Sequence, residues 1–221
     1  MRKKKARTSK RKKRRLHYGS DEWQRVTRVF ENEIIPIVKT LKSNNNRLTV
    51  RARRSLGNYL VIRLVSMTEY YFSNIVRRLV DERNLDASKI MTKKSLKEQL
   101  SKGQDTAGEL VAMTPNYANY VEIDGVLSKL LDLKFLSTVR ELDRTDPYKK
   151  YAEGAVPLNN NWKEFKEMFD LRDDIVHEMK DAVLCSTKLL SLADNTMNFL
   201  DAASWICHPE FSNYESNRII R

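Results

Sequence analysis

Apolar residues recur along this chain at intervals of three and four, and the clearest run is Val61, Leu64, Val65, Thr68, Tyr71, Phe72, Ile75 and Leu79. That spacing puts one stripe on a helix and predicts the longest element, from Thr49 to about Arg83. Ser20, Asp21 and Glu22 read as an earlier helix start, with acids suited to the positive end of the dipole. This first helix is expected to run to about Leu41, with Pro36 inside it as a kink or break, before a turn at Asn44, Asn45 and Asn46. Near the other end, Leu189, Leu192, Ala193, Met197 and Leu200 predict a helix from Ala182 through Ser204 that packs antiparallel to one of the earlier long helices. Between these lies a helix capped by Asn161, with Trp162, Phe165 and Phe169 on its inner side.

Residues 85–160 are less regular. Gly103, Gly108, Pro115, Gly125, Pro147, Gly154 and Pro157 punctuate them, leaving short helical patterns near Ser95–Lys102, Ile123–Asp132 and Phe135–Leu142. This stretch reads as a variable helical insertion that either shapes substrate choice, contacts a partner, or caps the bundle. With only six glycines and five prolines in 221 residues, and abundant Leu, Lys, Arg and Glu, the fold class expected is all-α. The organisation is then a basic arm over 1–20, one helical domain over 21–208 and a loose tail over 209–221.

Charge changes this picture only once it is located. The net charge is +12, but residues 1–16 hold eleven bases and no acid: Arg2, Lys3, Lys4, Lys5, Arg7, Lys10, Arg11, Lys12, Lys13, Arg14 and Arg15. The remainder is almost neutral, 41 minus 11 leaving 30 bases against 29 acids. Such an arm cannot bury apolar surface and is expected to be disordered when unbound. It reads as a sequence-independent contact to nucleic-acid phosphates, with a localisation patch or a solubilising leader as alternatives. No apolar run of about 18 residues occurs and no apolar segment follows the basic start, which points away from a membrane partner and from secretion, towards a cytoplasmic protein. Cys185 and Cys207 lack metal spacing and are expected to be buried thiols; His17 and His208 have no ligand partners nearby in sequence. No metal site, phosphate-binding glycine loop or cofactor motif is expected.

The chemistry lies in Asp170-Leu171-Arg172-Asp173-Asp174-Ile175-Val176-His177-Glu178. A guanidinium grips phosphoryl oxygens at any physiological pH, and an imidazole gives or takes a proton near neutrality. At about 100° per residue, Phe165, Phe169, Arg172, Asp173, Val176, His177 and Lys180 share one broad face. Met168, Leu171, Ile175, Met179 and Ala182 form another, so the helix is expected to be buried on more than one side. The same residues also suit a solvated face in which Asp173 and His177 are an ordinary i, i+4 pair.

Leu171-Arg172-Asp173-Asp174-Ile175-Val176-His177 closely resembles the signature of the HEPN superfamily of helical domains, in which an arginine and a polar residue precede a histidine. The upstream Leu64 to Ile75, with Ser66, Glu69 and Tyr70, resembles an early helix of that family; together the likeness spans about residues 25 to 205. It implies a HEPN-like helical bundle and a metal-independent endoribonuclease acting on RNA as a homodimer through the Arg172–His177 helix. Arg172 and His177 would be the catalytic pair and Asp173 the polar residue that orients the ring. Glu69 either supports the site or is a surface carboxylate, and Lys180 on the same face is a further supporting candidate. A role as a toxin or antiviral-defence effector, restrained by an antitoxin or regulatory partner, follows from the same likeness. Some family toxins carry a tyrosine two residues after the histidine, where a partner nucleotidyltransferase attaches nucleotides; here that residue is Met179. Two other classes stay open: a non-catalytic HEPN-like module binding nucleic acid or nucleotide, and a helical assembly protein whose seam holds a salt-bridge cluster.

Overall fold

The computed structural model describes residues 21–44, 47–103, 105–142, 162–178 and 185–207, and among them every regular element is helical. The basic arm, the cap at Asn161, Met179, Lys180, Ala182 and the tail after His208 lie outside the described residues.

The first helix runs from Asp21 to Ser43 in three parts: α1 (Asp21–Val29), a π turn (Phe30–Ile34) and α2 (Ile35–Ser43). Pro36 therefore does not break it. Proline has no N–H and its ring collides with the carbonyl four residues back; the widened turn just before it, closed by the Ile35 N–H on the Phe30 carbonyl, takes up the misfit. A short turn returns the chain to α3 (Val50–Asp81), whose start is fixed by Thr49 accepting the Ala52 N–H at 3.1 Å. Three cross-links set the first helix antiparallel to α3. Buried Glu22 meets Arg77 and Arg78, Arg25 lies 4.6 Å over the Tyr70 ring, and Glu33 takes a two-pronged bond from Arg63 at 2.7 and 2.8 Å. The predicted apolar stripe of α3 is buried along its length, from Leu60 to Val80.

The region read as an insertion is built into the same core. It holds α4 (Lys93–Leu100), α5 (Ala107–Met113), α6 (Tyr120–Leu131) and α7 (Phe135–Glu141). Val111, Tyr117, Ile123, Leu127, Phe135 and Val139 join the apolar cluster of α3. Helix α5, which the sequence pattern did not predict, begins with a capping box between Thr106 and Glu109. It lies close on the end of α3, where Asp81 accepts the Gly108 N–H at 2.8 Å and the Thr106 hydroxyl at 2.6 Å. A Cβ at Gly108 would come within 2.4 Å of the Arg77 carbonyl oxygen and 2.5 Å of the Asp81 carboxyl. Gly108→Ala is accordingly expected to destabilise the protein by about 1–3 kcal/mol through overpacking against backbone, read as a lower urea midpoint.

Two helices complete the described fold, α8 (Trp162–His177) and α9 (Ser186–Ile206). Phe199 of α9 meets Phe72 of α3, and further on Arg83 donates to the Cys207 carbonyl at 3.0 Å, so α9 runs in the same sense as α3 and antiparallel to the first helix. The chain enters α9 at Cys185, at its N-cap. The expectation of two buried cysteines fails there: Cys185 is exposed, its Sγ 3.0 Å from the Thr187 hydroxyl, and this bond holds its thiol below the usual range. Cys207 is buried, and burial pushes its thiol up to about 12.

Candidate functional site

Helix α8 is anchored by its first half. Phe165, Met168 and Phe169 are buried, with Phe165 stacked on Phe199 at 3.7 Å between centroids and Phe169 beside Tyr120 at 6.1 Å. The Thr196 hydroxyl, which donates to the Leu192 carbonyl at 2.7 Å, lies 3.2 Å from the Met168 sulfur, and Glu164 accepts the Ser191 hydroxyl at 2.8 Å. Lys188 reaches both Glu164 and Glu167, at 3.3 and 2.7 Å. These contacts fix the azimuth of the helix and so the direction in which its last turn projects.

That last turn carries the chemistry. Arg172 keeps 24% of its side chain exposed, and its Nη1 donates to Asp173 Oδ1 at 2.8 Å. The same nitrogen stands 3.3 Å from His177 Nε2. A guanidinium has no acceptor, so a hydrogen bond in this contact has Nε2 as its acceptor. The candidate pair is thus in contact, with a basic nitrogen lone pair beside a fixed cation. Asp173 is placed differently from the orienting role expected of it. Its Oδ1 is 4.0 Å from Nε2, beyond hydrogen-bond reach, and its bond goes to the arginine. The carboxylate therefore positions the guanidinium, and touches the ring only through it.

Burial on more than one side is not what α8 shows at this end. Leu171 and Ile175 pack against the core from one side, while Asp173, Val176 and His177 are exposed, Val176 to 43%. An apolar residue and the histidine share this open turn because the turn extends beyond the last aromatic anchor, Phe169.

Glu69 comes to the site from α3. It is half-buried, and burial raises its carboxyl above the ordinary 4.5 by more than the nearby charge of Arg172 lowers it. The folded protein therefore holds this proton more tightly than the unfolded chain does. The stability tied to it is complete below about pH 4.5 and is lost as pH rises through the raised value. Glu69→Gln, which keeps the shape without the charge, is expected to raise the melting temperature near neutral pH and to leave it unchanged in acid below the ordinary glutamate range. Thermal melts at the two conditions check this; an equal effect at both would show that the charge is not the cause.

Among the described residues no group of three or more His, Cys, Asp and Glu side chains is arranged to hold a metal ion, and no helix is long and apolar enough to cross a membrane. No protein-family model matches the chain, and neither a curated protein nor a solved structure matches it.

Proposed function

We propose that this chain is a metal-independent endoribonuclease of the HEPN type, acting as a toxin or antiviral-defence effector in the cytoplasm under the restraint of an antitoxin or regulatory partner. One observation carries the reading: the guanidinium of Arg172 and the accepting Nε2 of His177 are 3.3 Å apart on an open helical turn. RNA holds its own nucleophile. A base takes the 2′-hydroxyl proton, O2′ bonds to phosphorus, the bond to the 5′-oxygen breaks, and an acid returns a proton to that oxygen. The cation offsets the negative charge gathering on the phosphoryl oxygens.

One copy offers one histidine in this turn, whereas the step uses both a base and an acid. Two copies meeting through α8 would supply two, and exposed Val176 beside His177 gives such a seam an apolar contact. Asp173 would hold Arg172 in place, Glu69 would stand behind it, and Lys180 and the basic arm would add charge for the RNA. The test is incubation of the full chain with RNA in excess EDTA. Products ending in 2′,3′-cyclic phosphate and 5′-hydroxyl are expected. Binding without cleavage would replace this reading with that of a non-catalytic RNA-binding module.

A further inference from the structure

The near balance of bases and acids outside the arm hides a segregation. Between Glu33 and Glu69 the sequence has no aspartate or glutamate, and the fold gathers the bases of that stretch at one end of the molecule. Lys39 and Lys42 lie on the last turns of α2, Arg47 in the connection, and Arg51, Arg53 and Arg54 on the first turns of α3. The Arg47 and Leu48 N–H groups both bond the Asn44 carbonyl. At about 1.5 Å per residue, the helical members of the set sit within roughly 8 Å of the hairpin tip along the helix axes. Lys39, Lys42, Arg47, Arg51 and Arg54 are all exposed.

The helix dipole does not account for this placement. The N-terminus of a helix is the positive end of its dipole, where acids help and bases oppose folding. Helix α3 has no acid in its first turn and sets arginines there instead. An anion at the tip would relieve both the mutual repulsion and the opposition to the dipole. Arg63, further along α3, bonds Glu33.

We infer that this hairpin tip binds the phosphate backbone of RNA and feeds the strand towards the Arg172–His177 turn, an inference that rests on the nucleic-acid part of the function proposed above. Continuity with the site favours RNA over a membrane or an acidic protein. Arg54 and Glu69 are fifteen residues apart on α3, 69 minus 54, or about 22 Å of helix. Arg172 of α8 lies within electrostatic reach of Glu69 on α3. Arginines outnumber lysines at the tip, as suits two-pronged bonds to phosphate.

The test measures affinity of the full chain for a labelled single-stranded 2′-O-methyl RNA, which keeps the phosphates and blocks the nucleophile, over a series of salt concentrations. Lys39, Lys42, Arg51 and Arg54 are changed together to glutamine. Each lost phosphate contact lowers the slope of log K on log salt by about 0.7, so a slope flatter by about 2 to 3 is expected. A second variant with R51K and R54K keeps the charge and is expected to keep most of the slope, which separates charge from any loss of fold. A control changes exposed Lys93, Lys94 and Lys97 of α4 to glutamine and should leave the slope in place. An unchanged slope in the fourfold variant, an equal flattening in the control, or binding to anionic vesicles without RNA binding would each overturn the inference. Cleavage of ordinary RNA by the parent protein would still stand in those cases. Conversely, a flattened slope in a protein that never cuts RNA would keep the tip and remove the nuclease.

Discussion

His177→Ala protein is expected to cleave RNA about 10²–10⁴-fold more slowly than the parent, the usual loss when a positioned acid or base is removed. Arg172→Ala should lose on the order of 10²–10³-fold, as when one donor to a developing anion is taken away. Arg172→Lys is the informative intermediate. An ammonium keeps the charge but not the fork that bonds Asp173 and faces the ring, so it should recover only part of the rate. Asp173→Asn should cost less than either, because its hydrogen bond goes to the arginine and its Oδ1 stands 4.0 Å from Nε2. Rates in single turnover with saturating protein separate chemistry from binding. Since Asp173 and His177 are exposed and Arg172 is partly so, these changes should alter folding by no more than about 0.5 kcal/mol, a control read from urea unfolding. Unimpaired cleavage by His177→Ala and Arg172→Ala would remove the site assignment altogether.

Periodicity alone was enough to read α3 to within two residues and to foresee α6, α7 and α9, because in each the apolar stripe coincides with the buried face. Helix α5 escaped that reading because its buried residues, Gly108, Leu110, Val111 and Ala112, are nearly contiguous and show no helical period. Its signal was a cap, Thr106 followed three residues later by Glu109, and not a stripe. Pro36 illustrates the opposite difficulty. The residue announces that an ordinary helical turn fails there, but whether the chain breaks or widens depends on what holds the two halves, and here cross-links at Glu22, Arg25 and Glu33 hold the first half against α3 while Val38 and Leu41 bury the second in the core.

The site was legible as residue types and much less as geometry. Spacing put Arg172 and His177 on one face, and they touch. Which of two neighbours Asp173 would choose was not decidable from spacing, since the i, i+4 histidine and the adjacent arginine are both in reach. The guanidinium won, being charged at every pH and able to offer several donors. The tip charges were legible from a count of acids between Glu33 and Glu69, but a total over the whole body averages them away.

The largest effect on stability among these residues is expected at Phe165. Its ring is 1% exposed, stacks on Phe199 at 3.7 Å and meets Phe169 edge-on at 5.2 Å. Phe165→Ala removes a fully buried aromatic and leaves a cavity that helical backbones cannot close, a loss of about 3–5 kcal/mol. For a protein of this size that is on the order of 10 °C in melting temperature. Phe199→Ala should cost a similar amount, and the double variant should fall short of the sum by about 0.5–1.5 kcal/mol if the stack itself contributes beyond burial. An additive pair would mean that each ring acts only through the surface it buries. Phe165→Leu distinguishes anchoring from chemistry. It refills most of the space and should restore most of the stability; any cleavage still missing would then come from the azimuth of α8, since the six residues between Phe165 and Arg172 carry a small rotation at the anchor straight to the guanidinium and the ring beside it.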